Sequence, residues 1–302
     1  MFSSHNSTDS TIIPDIDCSV NHLARQYSEV NLTGSSVGDT HIVRSASADT
    51  KCCSSSRSGS GGNSSSKDYT AYFFGYGSLM NVDELAKCLQ VSRQDILSRI
   101  LFVKVTGISR GWLNQCSSSS GSLFVDKHHN CNGLQLSPTY LCCYLDPNKN
   151  AEINGILLPV TDTEKQLIHT REKGGCYGIT QLRSQQIKCY SCNYNHLDSD
   201  LPSYFYCCQL KRTSQATKFH PIVQSYVDVC LAGTLDIDKL LNSTDHMFSR
   251  TFIATTKFWS AGNWVNDRLY KYRPTTVLPQ AHVINKLLVD NLPYAVIRAI
   301  QF

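Results

Sequence analysis

The sequence has no stretch of the roughly 18 apolar residues that a bilayer-spanning helix needs, so helical transporters and channels are set aside. It shows no basic start followed by an apolar run, so no secretory signal is expected. Runs of lysine and arginine are missing as well. A net charge of +4 and a pI near 8.3 are mild and dispersed, which describes a mixed, solvated surface and not a nucleic-acid face. There is no internal repeat and no sustained heptad. The glycine turn at Gly75 and Gly77 lacks the lysine of a phosphate loop and the third glycine of a dinucleotide fingerprint, so neither nucleotide motif is present.

What is there suits a globular chain. With 302 residues, 41% of them hydrophobic, a sizeable core forms without staples. Residues 1–68 are a serine- and glycine-rich leader, expected to be disordered because so little apolar surface cannot offset its ordering entropy. Asp9, Asp15, Asp17 and Glu29 argue against an organelle transit peptide. A catalytic domain is expected over 69–215 and a helical extension packed on it over 216–302. The 14 cysteines fall irregularly. Cys52-Cys53, Cys142-Cys143 and Cys207-Cys208 are adjacent pairs, which seldom form local disulfides, so reduced thiols in a cytoplasmic protein are expected.

Two stretches carry chemistry. In the first, the apolar run Ala71 to Phe74 suits a buried strand, and Gly75 and Gly77 let the backbone turn sharply before a helix. Asn81 offers an N-cap oxygen with Glu84 three residues on, a capping-box-like start for a helix to about Gln90. Strand, glycine turn and helix start converge several backbone N–H groups on one place, which favours a carboxylate or an oxyanion.

The second stretch begins with a buried-looking strand over Glu152 to Val160. Thr161 and Glu164 then form a capping box that starts a helix ended by Gly174-Gly175. Glu172 falls in its last turn, at the negative end of the helix dipole. A carboxylate there, if shielded from water, acquires the raised pKa that a base working near neutrality requires.

Tyr76-Gly77-Ser78-Leu79 after an apolar strand, followed some ninety residues on by Arg171-Glu172 and Tyr177, resembles the two-part signature of the γ-glutamylcyclotransferase-like families. The resemblance covers about residues 71–190. It implies an α+β fold: a mixed, mostly antiparallel sheet curled into a small barrel, with surrounding helices and a site at the barrel mouth. It also implies a small-molecule γ-glutamyl substrate, cyclised to 5-oxoproline with release of an amino acid, the Cys-Gly of glutathione or an amine, and no metal or organic cofactor. By the same resemblance Glu172 is the general base and acid, Tyr76, Gly77, Ser78 and Leu79 hold the glutamyl group, and Tyr177 donates a hydrogen bond. The loop carries Leu79 where many relatives carry asparagine. A non-catalytic binding module of the same fold, recognising a γ-glutamyl-like metabolite or a protein partner, is the alternative.

Other candidates stay open. Arg110 and Trp112 either line a pocket or cover the sheet edge. A thiol enzyme would pair Cys176 with His169, but no orienting acid is evident. Cys189, Cys192, His196, Cys207 and Cys208 are metal-ligating types at no ribbon spacing, and His128-His129 are adjacent in a turn, so both sets read as structural. In the C-terminal part, helices are expected from Pro221, from Asp236, over His246 to Phe258 and over Ala281 to Asp290. Trp259 to Pro274 is expected to be an ordered loop acting as a clasp, with a substrate lid as the other reading.

Overall fold

A computed structural model describes residues 68–115, 130–131, 134–135, 138–174, 177–190, 200–208, 213–260, 262–266, 268, 279–293 and 296. Nearly all of the leader, His128, His129, Cys176, Cys192, His196 and most of 267–274 lie outside them.

The chain folds as α+β. Strand β1 (Ala71–Gly75) is buried at every position, which explains its unbroken apolar run. Helices α1 (Val82–Leu89) and α2 (Arg93–Leu97) precede β2 (Leu101–Thr106) and β3 (Ile108–Asn114). The short hairpin β4 (Asn130–Cys131) and β5 (Leu134–Gln135) is followed by β6 (Tyr140–Leu145) and β7 (Glu152–Val160). Then come α3 (Asp162–Gly174), β8 (Tyr177–Leu182), β9 (Ile187–Cys189) and β10 (Ser203–Cys208). The remainder is β11 (Ile222–Val223), α4 (Gln224–Leu240), α5 (Met247–Thr255), β12 (Thr256–Lys257), β13 (Trp264–Val265) and α6 (Ala281–Asn291).

One mixed sheet of nine strands runs in the order β12-β3-β6-β10-β1-β7-β2-β9, with β8 added on β10. Its pairings are antiparallel except β1 with β10, β10 with β6 and β12 with β3. Among the described residues no pairing joins β12 to β9, so the sheet is open along this path and the expected barrel closure is not among its pairings. Strand β8 occupies one edge of β10 along its whole length. On the other edge β1 pairs at Ser203 and Tyr204, and β6 takes over at Cys207. Between those two pairings β1 ends and the chain turns away at Gly75. The sheet therefore parts where the glycine loop begins.

The helices close the core. Tyr226, Val227 and Leu231 of α4, Phe248 and Phe252 of α5 and Leu288 of α6 share one buried cluster with β1, β2 and β7. Helix α4 lies so close to the glycine loop that a Cβ on Gly233 would come within 2.6 Å of the Asn81 backbone nitrogen. Likewise, a Cβ on Gly155 of β7 would sit 2.5 Å from both the Gly75 carbonyl oxygen and the Phe74 ring. These two glycines permit backbone approaches that any side chain would block.

Several expectations are corrected. The apolar, β-branched run Ile100 to Ile108 forms parts of two strands, broken at Gly107, whose φ of +76° only glycine adopts without strain. Ile222 and Val223 pair with Trp264 and Val265 as strands instead of opening a helix. Asp236 starts no helix, because α4 runs unbroken to Leu240. Instead Asp238 is buried and caps α5, accepting from the Phe248 and Ser249 nitrogens at 2.8 and 3.1 Å.

The cysteines are not all reduced. Cys142 of β6 and Cys208 of β10 form a disulfide, their Cα atoms 5.7 Å apart. Side chains alternate across a strand, so one member of each doublet reaches its counterpart on the neighbouring strand, a pairing invisible when each doublet is read locally. No helix among the described residues is long and apolar enough to cross a membrane.

Candidate active site

The loop after β1 is built by its own hydrogen bonds. Ser78–Met80 form a 3₁₀ turn, in which the Met80 nitrogen donates to the Gly77 carbonyl at 2.9 Å and the Asn81 nitrogen to the Ser78 carbonyl at 3.1 Å. Asn81 then caps α1, accepting from the Asp83 and Glu84 nitrogens at 3.0 and 3.2 Å. Glu84 does not reach back to complete a box. It bonds Lys87 at 3.1 Å instead.

Arg110 fixes the loop from beneath. Its guanidinium is fully buried and donates to the carbonyls of Tyr76, Asn154 and Phe252 at 3.1, 2.9 and 3.1 Å. It also reaches the Asn154 side-chain oxygen and the hydroxyls of Thr255 and Thr256. Burial lowers its pKa to about 10, so it stays a cation at neutral pH. Arg110 and Trp112 are both fully buried, and neither is among the residues that line the cavity above the loop. The indole packs edge-on to Tyr226.

Above this loop lies a cavity, lined on one side by Phe73, Gly75, Tyr76, Gly77, Ser78 and Leu79. Glu172 and Tyr177 line the other side, together with Leu141, Tyr206 and Tyr226. All six site residues chosen from the sequence therefore border one space. The capping box that starts α3 forms with reciprocal bonds, Glu164 nitrogen to the Thr161 hydroxyl at 3.3 Å and Thr161 nitrogen to the Glu164 carboxylate at 3.0 Å. That fixes the helix start, and Glu172 follows in its last turn.

The electrostatics single out Glu172. Burial pushes its pKa up to about 7, although the neighbouring Arg171 guanidinium, 3.6 Å away, pulls the other way. Its side chain is 16% exposed, so it is shielded without being sealed. Arg171 also donates to the Ser78 hydroxyl at 3.4 Å, tying the helix end to the loop. The phenols around it are held protonated. Burial raises Tyr76, Tyr177 and Tyr226 well above the usual phenol range, with the Glu172 charge contributing to each. The Tyr76 hydroxyl donates to the Tyr206 carbonyl at 2.6 Å and the Tyr177 hydroxyl to the Leu141 carbonyl at 2.8 Å.

Leu141, Tyr206 and Tyr226 were not singled out from the sequence, because they arrive from β6, β10 and α4. Of the thiol alternative, His169 lies beside Tyr206, and Cys176 lies outside the described residues. Among the described residues no three His, Cys, Asp or Glu side chains are grouped to hold a metal ion.

Neither a family model nor a curated protein sequence matches the chain. Among the solved structures that are similar to the chain are the following three. A gamma-glutamyl cyclotransferase is similar over 67% of this chain and 97% of its own, at 10% identity and a TM-score of 0.40. YkqA from Bacillus subtilis is similar over 59% of this chain and 55% of its own, at 13% identity and a TM-score of 0.37. The uncharacterized protein loc79017 from Homo sapiens is similar over 61% of this chain and 87% of its own, at 10% identity and a TM-score of 0.37. At such values no residue role or activity is transferred from them.

Proposed function

We propose that the chain cyclises a γ-glutamyl compound to 5-oxoproline and releases the amine or amino acid attached to the γ-carbonyl. The observation that carries this reading is a shielded carboxylate, Glu172, with a pKa of about 7, facing a glycine loop across a cavity of phenols.

A γ-glutamyl compound brings its own nucleophile, so the protein has to fold the substrate and move protons. The α-ammonium gives one proton to Glu172. The amine lone pair then attacks the γ-carbonyl carbon, a carbon–nitrogen bond forms, and the carbonyl pair moves to oxygen. Protonated Glu172 hands its proton to the leaving nitrogen as the carbonyl re-forms and the old carbon–nitrogen bond breaks. The ring nitrogen loses its second proton and the released amine takes one up, both through solvent. A carboxylate with a pKa near neutrality suits both transfers.

Since the Met80 and Asn81 nitrogens serve the turn itself, the N–H groups of Gly77, Ser78 and Leu79 fall to anion recognition in this reading. Tyr177, anchored on the Leu141 carbonyl, walls the side opposite the loop. The test is 5-oxoproline release from a panel of γ-glutamyl amino acids, glutathione and γ-glutamyl amines. Turnover names the reaction, and the preferred member names the leaving group. No turnover from any member contradicts the reading, and binding without turnover marks a binding module.

A further inference from the structure

Tyr206 of β10 borders the same cavity as Glu172, and its hydroxyl lies 3.3 Å from Nδ1 of His169. The two rings are tilted, with centroids 6.1 Å apart. His169 and Glu172 stand three residues apart on α3 and so share a helix face. Other acceptors around the cavity already serve protein donors. The Tyr76 carbonyl accepts from Arg110, the Leu141 carbonyl from Tyr177 and the Tyr206 carbonyl from Tyr76. A cationic nitrogen arriving beside Glu172 needs further acceptors, and the Tyr206 phenol oxygen can supply one.

Whether it does depends on the direction of its bond to His169. A neutral imidazole with a bare Nδ1 accepts a hydrogen bond from the phenol, leaving the oxygen lone pairs to face the cavity as acceptors. An imidazolium has no lone pair, so Nδ1–H donates to the phenol and turns the phenolic proton toward the cavity. The first state accepts an ammonium. The second opposes one.

We propose that Tyr206 is the neutral acceptor for the substrate α-ammonium and that His169 is the positioning residue that sets its polarity, so that protonation of His169 weakens recognition of amine-bearing compounds. This rests on the γ-glutamyl reading of the site. Burial, and then the Glu172 charge, hold the Tyr206 phenol above its usual range, which keeps it a neutral hydroxyl throughout. The elements packed on α3, and α3 itself, carry the following charged and titratable groups. Lys165, Arg171 and Glu172 share its helix, and α1 brings Glu84, Lys87 and Cys88. Strand β10 adds Tyr204 beside Tyr206, β8 adds Tyr177, and β7 carries one such side chain, Glu152.

The test measures affinity in the full-length Glu172→Gln protein, which holds ligands without turning them over and removes the titration of Glu172. The probes are γ-glutamylalanine and glutarylalanine, which differ only in the α-amine. Titration calorimetry is run at about pH 5 and about pH 7, where the α-amine keeps its proton. The amine-bearing probe is expected to bind about tenfold tighter at the higher pH and to lose that preference at the lower. Adding His169→Gln, whose amide oxygen accepts the phenolic proton at either pH, is expected to restore the preference at the lower pH, a gain that misfolding cannot mimic. Adding Tyr206→Phe is expected to abolish it at both.

An unchanged affinity ratio in the Tyr206→Phe protein, or a ratio independent of pH before His169 is replaced, overturns this inference alone. If neither probe binds and wild type releases no 5-oxoproline, the γ-glutamyl reading falls and this inference falls with it.

Discussion

Arg110 donates to the Tyr76 carbonyl at 3.1 Å from inside the core, so the cavity loop is held by a cation that never meets the cavity. The same guanidinium gathers Asn154 of β7 and the end of α5, which makes it a junction of three elements. Arg110→Met would remove one donor from each of these buried acceptors and leave a cation-shaped gap among them. A loss of about 3–5 kcal/mol is expected, read as a lower midpoint in urea with an unchanged slope. A loss under about 1 kcal/mol would show that the junction is not required.

The raised pKa of Glu172 makes two pH statements. As a base it must be ionised, so kcat/KM is expected to fall about tenfold for each unit below pH 7. As a stability effect the sign is opposite. A folded pKa raised from 4.5 to about 7 contributes stability that is fully present below 4.5 and lost as pH rises through 7. Wild type and Glu172→Gln are therefore expected to be similarly stable at acid pH. At alkaline pH the variant is expected to be the more stable, by up to about 3 kcal/mol. Denaturant titrations at several pH values check it, and a pH-independent difference would contradict it.

Gly233 is where α4 touches the loop backbone, with no room for a Cβ beside Asn81. Gly233→Ala improves helix propensity yet is expected to destabilise by about 1–3 kcal/mol, because backbone must shift to admit the methyl. A crystal structure of the variant should show the Ser78–Met80 turn displaced. A stabilised variant with an unmoved turn would contradict the packing described.

The Cys142–Cys208 disulfide closes a loop with a sequence separation of 66. Its reduction is expected to cost about 2–4 kcal/mol, seen as a lower melting temperature in reductant that Cys142→Ser with Cys208→Ser reproduces. Identical melting with and without reductant in wild type would contradict the pairing.

The parts of the fold legible in the sequence were those set by neighbours in the chain. The buried run Ala71 to Phe74, the Asn81 cap and the Thr161–Glu164 box are specified within a few residues, and each forms as read. Glu172 could be assigned to the last turn because glycines end the helix locally. The far wall of the cavity could not be read this way. Tyr206 and Leu141 face it only because β10 exchanges β1 for β6 along one edge, and that exchange is a long-range event. Tyr226 belongs to an apolar helical stripe, which reads as core whether or not one side chain also borders a cavity. Arg110 reads from the sequence as lining a pocket or covering the sheet edge; its burial depends on acceptors that β7 and α5 bring from far along the chain.

The most direct measurement is 5-oxoproline release by Glu172→Gln beside wild type, with the preferred γ-glutamyl compound at saturating concentration. If Glu172 carries the proton, kcat is expected to fall at least about a thousandfold while the variant stays folded and its ligand affinity stays close to wild type. A variant that turns over within about tenfold of wild type would contradict the assignment of Glu172 as base and acid.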